Sequence, residues 1–184
     1  FTFQFMTSTT PTAKAFWEID VLSNRIADQH TRIYGACATD LNADGYPDLT
    51  TVNEVSADIR VFMNKADGTG LFHPMMAPQA IASYASPNEP ADFNNDGHTD
   101  LCIAVTENDS VWVLLGSGDG TFYDLTPYPA GRSLHNVATL DADGDGDTDM
   151  VTAHLADNTL GLHLNNGDGT FAPVTTFNGN VNGE

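Results

Sequence analysis

The sequence has little positive charge. Six Lys and Arg stand against 25 Asp and Glu in 184 residues, a formal net charge of −19. Such a chain repels a phosphate backbone, which excludes nucleic acid as a partner, and attracts cations instead. Cysteine is scarce as well, with Cys37 and Cys102 alone. Two are too few for a disulfide scaffold and do not make a paired-cysteine zinc motif. Whether they bridge each other depends on their Cα atoms lying within about 7 Å, and both states stay open at this level. No run of about 18 apolar residues occurs, so no membrane-spanning helix is expected. No helical period of useful length appears either. A disordered acidic tail is excluded because 41% of the residues are hydrophobic. The length allows one domain, or a domain plus a fragment, with a buried core. The sequence opens at Phe1 inside a patterned segment with no recognisable leader, as expected of a processed chain or an excised piece.

What the chain does have is a repeat. DLNADGYPDLTTV starts at Asp40, DFNNDGHTDLCIA at Asp92 and DADGDGDTDMVTA at Asp141, so the starts lie 52 and 49 residues apart. An Asp-Gly-Thr sits 27 residues after each start, at Asp67, Asp119 and Asp168, followed by Phe72, Phe122 and Phe171. The first unit carries Gly70 and Leu71 as an insertion before its phenylalanine.

Between these landmarks the pattern reads as strands. Ile59, Val111 and Leu160 are followed at alternate positions by Val61, Val113 and Leu162, then by Met63, Leu115 and Leu164. Period two marks a strand with one buried face. Its other face holds Arg60, Trp112 and Gly161, then Phe62, Leu114 and His163, a mixed set that suits contact on both sides. An earlier strand begins at Asp48, Asp100 and Asp149, and another precedes each acidic loop, over 34–39, about 86–91 and 135–140. Pro87 and Pro90 make the middle one short or bulged. The Asp-Gly-Thr sites are hairpin turns, since Asp-Gly tolerates the positive φ they need.

Four short strands in about 50 residues predict an all-β chain of propeller blades. A sandwich with coincidental turn repeats is the alternative. The units run over about 34–77, 86–128 and 135–178. Residues 1–12 read as the last strand of an upstream β domain (Phe1 to Phe5 alternate) plus a linker, and 13–184 as a partial propeller. An extra edge strand of the same propeller is the other reading of the opening. Phe16 to Val21 occupies the place of a blade's last strand, and the chain stops where a fourth unit is due to begin. Three blades leave open flanks and unpaired edges, so further blades are expected from the rest of a longer chain or from other subunits.

The acidic loops carry the chemistry. Their positions 1, 3, 5 and 9 are Asp40, Asn42, Asp44 and Asp48; Asp92, Asn94, Asp96 and Asp100; Asp141, Asp143, Asp145 and Asp149. Position 6 is glycine each time, at Gly45, Gly97 and Gly146, which permits a sharp turn. A backbone carbonyl at position 7, from Tyr46, His98 or Asp147, adds an oxygen. A hard divalent cation takes six to eight oxygens at about 2.3–2.6 Å. Without one, several carboxylates within a few ångströms repel. Calcium is preferred to magnesium, which keeps its waters and demands stricter octahedral geometry. An EF-hand is excluded, because its twelfth position calls for Glu and here holds Thr51, Ile103 and Thr152. The flanks are strands, which also disfavours a dockerin.

On these residues the units resemble the FG-GAP/VCBS repeat family, the blades of integrin α-like β-propellers. The match rests on the three D-x-[DN]-x-D-G-x-x-D loops and on the Asp-Gly-Thr-Phe turns at Asp119–Phe122 and Asp168–Phe171. It runs from about Phe16 to the end of the sequence. The resemblance implies a propeller of about seven blades, one calcium ion per loop (three here), and an extracellular setting, secreted or at the cell surface. It also implies work in adhesion, glycan binding or as an accessory module. The departures are the number of loops, fewer than a closed ring needs, and the Gly70-Leu71 insertion.

Nothing else competes. No histidine pair has metal spacing; His154 and His163 sit at the strand places of Val105 and Leu114 and read as packed residues. No hydrolase elbow, Walker loop or nucleotide fingerprint occurs. Glu89 and Glu107 are lone solvated acids, and Trp112 reads as packing. The expected function is therefore a non-catalytic calcium-binding propeller segment serving adhesion or assembly, with an extracellular protein or glycan as partner. The alternatives are a lectin of the integrin-like type, or an accessory propeller of an extracellular enzyme.

Overall fold

The computed structural model of the chain describes residues 21–81 and 85–178. The strand expected over Phe1–Phe5, the linker after it, and all but the last residue of Phe16–Val21 lie outside them. Val21 itself is exposed and belongs to no strand.

Among the described residues twelve strands form three four-stranded antiparallel sheets, each strand hydrogen-bonded to its sequence neighbour within the sheet. The first sheet is β1 (Ile33–Thr39), β2 (Asp48–Asn53), β3 (Asp58–Phe62) and β4 (Gln79–Ala80). The second is β5 (Ala85–Ala91), β6 (Asp100–Val105), β7 (Ser110–Gly116) and β8 (Phe122–Pro129). The third is β9 (Leu134–Leu140), β10 (Asp149–His154), β11 (Thr159–His163) and β12 (Thr175–Asn178). The only helical element among the described residues is a 3-10 turn at Thr106–Asn108. No sheet closes on itself among them. β5 is bulged as its prolines require, with a register shift between Ala85 and Asn88, but at seven residues it is not short.

The fourth strand starts at the phenylalanine only in the second unit. Phe72 and Phe171 instead make isolated bridges to Asn64 and Asn165, and β4 and β12 begin further on, beyond Pro74 and Pro78 or Pro173. Proline cannot donate to a ladder, which delays pairing there.

The sheets stack through their faces. Val52, Ile59 and Val61 of the first sheet meet Leu101, Ile103, Val105 and Leu114 of the second, with Trp112 half-buried against them. On the other side of the second sheet Cys102, Ala104, Val111 and Val113 meet Leu134, Val137 and Met150 of the third. Double burial explains why β6 reads as a continuous apolar run. Leu160 stands where Val111 stands, yet it is 45% exposed while Val111 is 0% exposed. The outer face of the third sheet is thus the same surface left uncovered among the described residues. Both cysteines are free, Cys102 buried and Cys37 half-buried. Burial pushes both thiols up.

Two polar clusters replace apolar packing. Arg60 is fully buried and bonds Asp58 through Nε and Nη2, each at 2.9 Å. Its guanidinium also reaches the carbonyl of Asn24 and, at 2.6 Å, the side chain of Gln29. This network fastens the segment 22–31 onto the first sheet. In the third sheet the hydroxyl of Thr152 lies 2.9 Å from Nε2 of His154 and 3.3 Å from Nε2 of His163. The main-chain N–H of Gly131 donates to Nε2 of His154 at 3.1 Å. That nitrogen therefore carries no proton, and Nδ1 donates to Thr159 Oγ1 at 2.9 Å. Gly131 and Gly161 leave the room: a Cβ on either would sit 2.8 Å or less from the His154 ring. Both histidines are packed strand residues, as their places in the repeat predict.

Candidate metal centre

Each acidic loop joins the first strand of a sheet to the second, as β1 to β2, β5 to β6 and β9 to β10. The three fold alike because each carboxylate collects specific main-chain N–H groups. At position 1, Oδ2 of Asp40 accepts from Gly45 at 2.8 Å, Oδ2 of Asp92 from Gly97 at 3.0 Å, and Oδ2 of Asp141 from Gly146 at 3.2 Å. Oδ1 accepts from Asp44 and from Asp96, each at 3.1 Å, and in the third loop from Gly144 at 2.7 Å. Position 5 accepts the N–H of position 7, so Tyr46, His98 and Asp147 donate to Asp44, Asp96 and Asp145 at 2.8–2.9 Å.

Two positions run left-handed. The glycine at position 6 has φ of 87°, 85° and 98° in the three loops, and position 4 has 57° at Ala43, 58° at Asn95 and 83° at Gly144. Only the first of these was legible as a requirement, since alanine gives no hint of it.

Asp48, Asp100 and Asp149 at position 9 are buried, unlike the other candidate ligands of their loops. Oδ2 of each accepts the N–H of position 2, from Leu41, Phe93 and Ala142, at 2.7–2.9 Å. Oδ1 accepts the N–H of a residue sixteen further on, Asn64, Gly116 or Asn165, at 2.7–2.8 Å. These three donors escape a reading of ligand spacing, because the contribution is a main-chain N–H from another strand. Burial pushes Asp100 up to about 6 despite the N–H groups of Gly116 and Phe93, and Asp96 and Asp92 add to the rise.

The position 3 amides of Asn42 and Asn94 each donate to the position 5 carboxylate at 2.9 Å. The third loop has Asp143 there instead. Loss of hydration and the charges of Asp145 and Asp149 push Asp143 up. Oxygens of Asp141, Asp143 and Asp149 all lie within 4.8 Å of one another. Opposite ligands of a cation bonded at 2.3–2.6 Å are about that far apart. The donor set is oxygen throughout, which fits a hard cation and not a soft one. Asp145 and Asp147 stand outside that group: Oδ1 of Asp147 accepts from the Asn95 amide of the second loop at 2.9 Å. By contrast Asp67, Asp119 and Asp168 are turn makers, each held below the ordinary carboxylate range by the hydroxyl and N–H of its own Thr69, Thr121 or Thr170.

No helix among the described residues is long and apolar enough to cross a membrane. No curated protein matches the chain. Among solved structures it is similar to a lectin of Agrocybe aegerita, solved for its specific recognition of non-reducing terminal N-acetylglucosamine. The TM-score is 0.54 at 24% identity, over 77% of this chain and 37% of the lectin. It is also similar to the Tc holotoxin pore of Photorhabdus luminescens, with a TM-score of 0.50 at 21% identity, over 80% of this chain and 7% of that one. The chain thus spans well under half the length of either, and the likeness is one of fold. The model of the FG-GAP-like repeat matches residues 40–103 and 92–152. Those spans begin at the first residue of the first and second acidic loops and together take in all three loops, and on this match the chain belongs to the FG-GAP-like repeat family.

Proposed function

We propose that the chain is a non-catalytic segment of an extracellular β-propeller that binds three calcium ions, one per acidic loop, and serves adhesion or assembly. The observation that carries this reading is the grouping of Asp141, Asp143 and Asp149 oxygens within 4.8 Å, on a loop whose position 1, 5 and 9 carboxylates accept main-chain N–H groups as their counterparts in the other two do. Asp40, Asn42, Asp44 and Asp48, their counterparts in the second and third loops, and the position 7 carbonyls supply the ligands. The ion's part is charge neutralisation and cross-linking of the loop. Three ions change the formal charge from −19 to −13. The uncovered outer face of the third sheet receives a further sheet of the same kind. Calorimetric titration with calcium after chelation tests the reading: three sites and a raised melting temperature support it, and no heat with an unchanged melting temperature refutes it.

Glycan binding is the second reading. A cleft of about 350 Å³ opens between the second and third sheets, lined by Tyr128, Pro129, His163, Phe171 and Val174. The Tyr128 and Phe171 rings meet edge to face at 5.2 Å. A half-buried tyrosine in an apolar cleft suits a sugar ring, and the similar lectin recognises N-acetylglucosamine. A glycan array separates the readings, with loss of binding in Phe171→Ala as the mark of this cleft.

A further inference from the structure

The second and third loops are joined by two side chains that belong to neither ligand set. Asn165 follows β11 and is buried. Its main-chain N–H donates to Asp149 of the third loop at 2.8 Å, while its Nδ2 donates to the Phe93 carbonyl of the second loop at 2.8 Å and to the Thr148 carbonyl at 3.0 Å. Its Oδ1 accepts the N–H of Gly167 at 3.0 Å. Asn95 sits at position 4 of the second loop, between Asn94 and Asp96. Its amide donates to Oδ1 of Asp147 at 2.9 Å and to the carbonyl of Gly167 at 3.4 Å. Asp147 is the third loop's position 7. Both joints therefore end on the Asp147 or Asp149 side of the third loop and on residues flanked by second-loop ligands.

We propose that the second and third loops load calcium cooperatively, with Asn165 and Asn95 as the positioning residues that couple them. An ion in the second loop fixes Asn94 and Asp96, and with them the backbone that aims the Asn95 amide and the Phe93 carbonyl. Those two groups in turn hold Asp147 and Asn165, and so Asp149, in place before the third ion arrives. The ordering cost of the third loop is then already met in part, which is positive coupling without any direct contact between ions. Neither residue has a hydrogen bond to the first loop, which the second reaches instead through Thr99 Oγ1, donating to the Asp40 carbonyl at 2.9 Å. That loop serves as an internal control.

This inference rests on the calcium reading, and the experiment separates the two. The full chain labelled with 15N-glycine is titrated in chelator-buffered calcium. The amides of Gly45, Gly97 and Gly146 report the three loops separately. Asp96→Ala, which empties the second loop, is expected to raise the Gly146 midpoint roughly fivefold and leave Gly45 in place, the low end of ordinary coupling between sites and the weight of about one hydrogen bond of average strength. In an Asn95→Gly, Asn165→Ala background the same substitution is expected to leave Gly146 unmoved. Glycine keeps the left-handed backbone at position 95. Asp147→Asn, which keeps the acceptor, is expected to keep the coupling. If the buried Asn165→Ala does not fold, Asn95→Gly alone must shrink the effect of Asp96→Ala. An equal shift of Gly146 in both backgrounds, or none in either, overturns the coupling while leaving three calcium sites. No movement of any of the three amides overturns both.

Discussion

Oδ1 of Asp100 accepts the main-chain N–H of Gly116 at 2.7 Å, and Oδ2 of the same carboxylate accepts that of Phe93 at 2.7 Å. One side chain thereby ties the end of β7 to the start of the second loop, with no ion needed. A Cβ on Gly116 would lie 2.2 Å from the Thr99 carbonyl, so the approach is as close as the backbone allows. The ninth residue of each loop is therefore a fold clasp as well as a candidate ligand.

The two roles separate by mutation. Asp100→Ala leaves two buried N–H groups without acceptors and is expected to cost about 2–3 kcal/mol already in chelator, and more in calcium, where a proposed ligand is lost as well. Asp96→Ala, at an exposed position whose partners are the N–H of His98 and the side-chain amide of Asn94, is expected to cost stability chiefly in calcium. Urea denaturation of both variants in each condition checks this.

Ala43 sits at φ 57° in the place where the third loop has Gly144. An L side chain is disfavoured there, so Ala43→Gly is expected to stabilise by about 0.5–1 kcal/mol despite glycine's greater unfolded entropy. The same denaturation midpoints measure it.

His163 is held at about 4 by burial and then by the neighbouring His154. An unfolded histidine titrates at about 6.5. The stability this supplies is complete above pH 6.5 and is lost as the pH falls toward 4, by roughly 3 kcal/mol at most. His163→Leu places there the residue found at Leu114. It is expected to flatten the fall in melting temperature between pH 6.5 and 4; an unchanged fall would assign the acid limb to other groups.

Removing Arg60 leaves Asp58, only 5% exposed, without its cation. Arg60→Ala is expected to cost about 3–5 kcal/mol and to release segment 22–31, read as faster amide exchange at Asn24 and Gln29.

The strands were legible because their alternation is set by burial on a stacked sheet: Ile59 and Val61 point to the interface of the first and second sheets, Val111 and Val113 to that of the second and third. The acidic loops were legible because oxygen ligands at alternate positions leave a spaced pattern. The clasp was not, since Asn64, Gly116 and Asn165 contribute main-chain N–H groups that no side-chain pattern records. The joint between loops was hidden too. Asn95 and Asp147 lie 52 residues apart and meet only when the sheets stack. The delayed β4 and β12 reflect prolines, read at the middle unit's first strand but not at these.

Crystals grown in calcium and measured at a wavelength where its anomalous signal is strong test the central claim most directly. The account predicts one peak in each acidic loop, about 2.3–2.6 Å from oxygens of the position 1, 3 and 5 side chains. A map with no peak at Asp40–Asp48, Asp92–Asp100 or Asp141–Asp149, in crystals containing millimolar calcium, would contradict it.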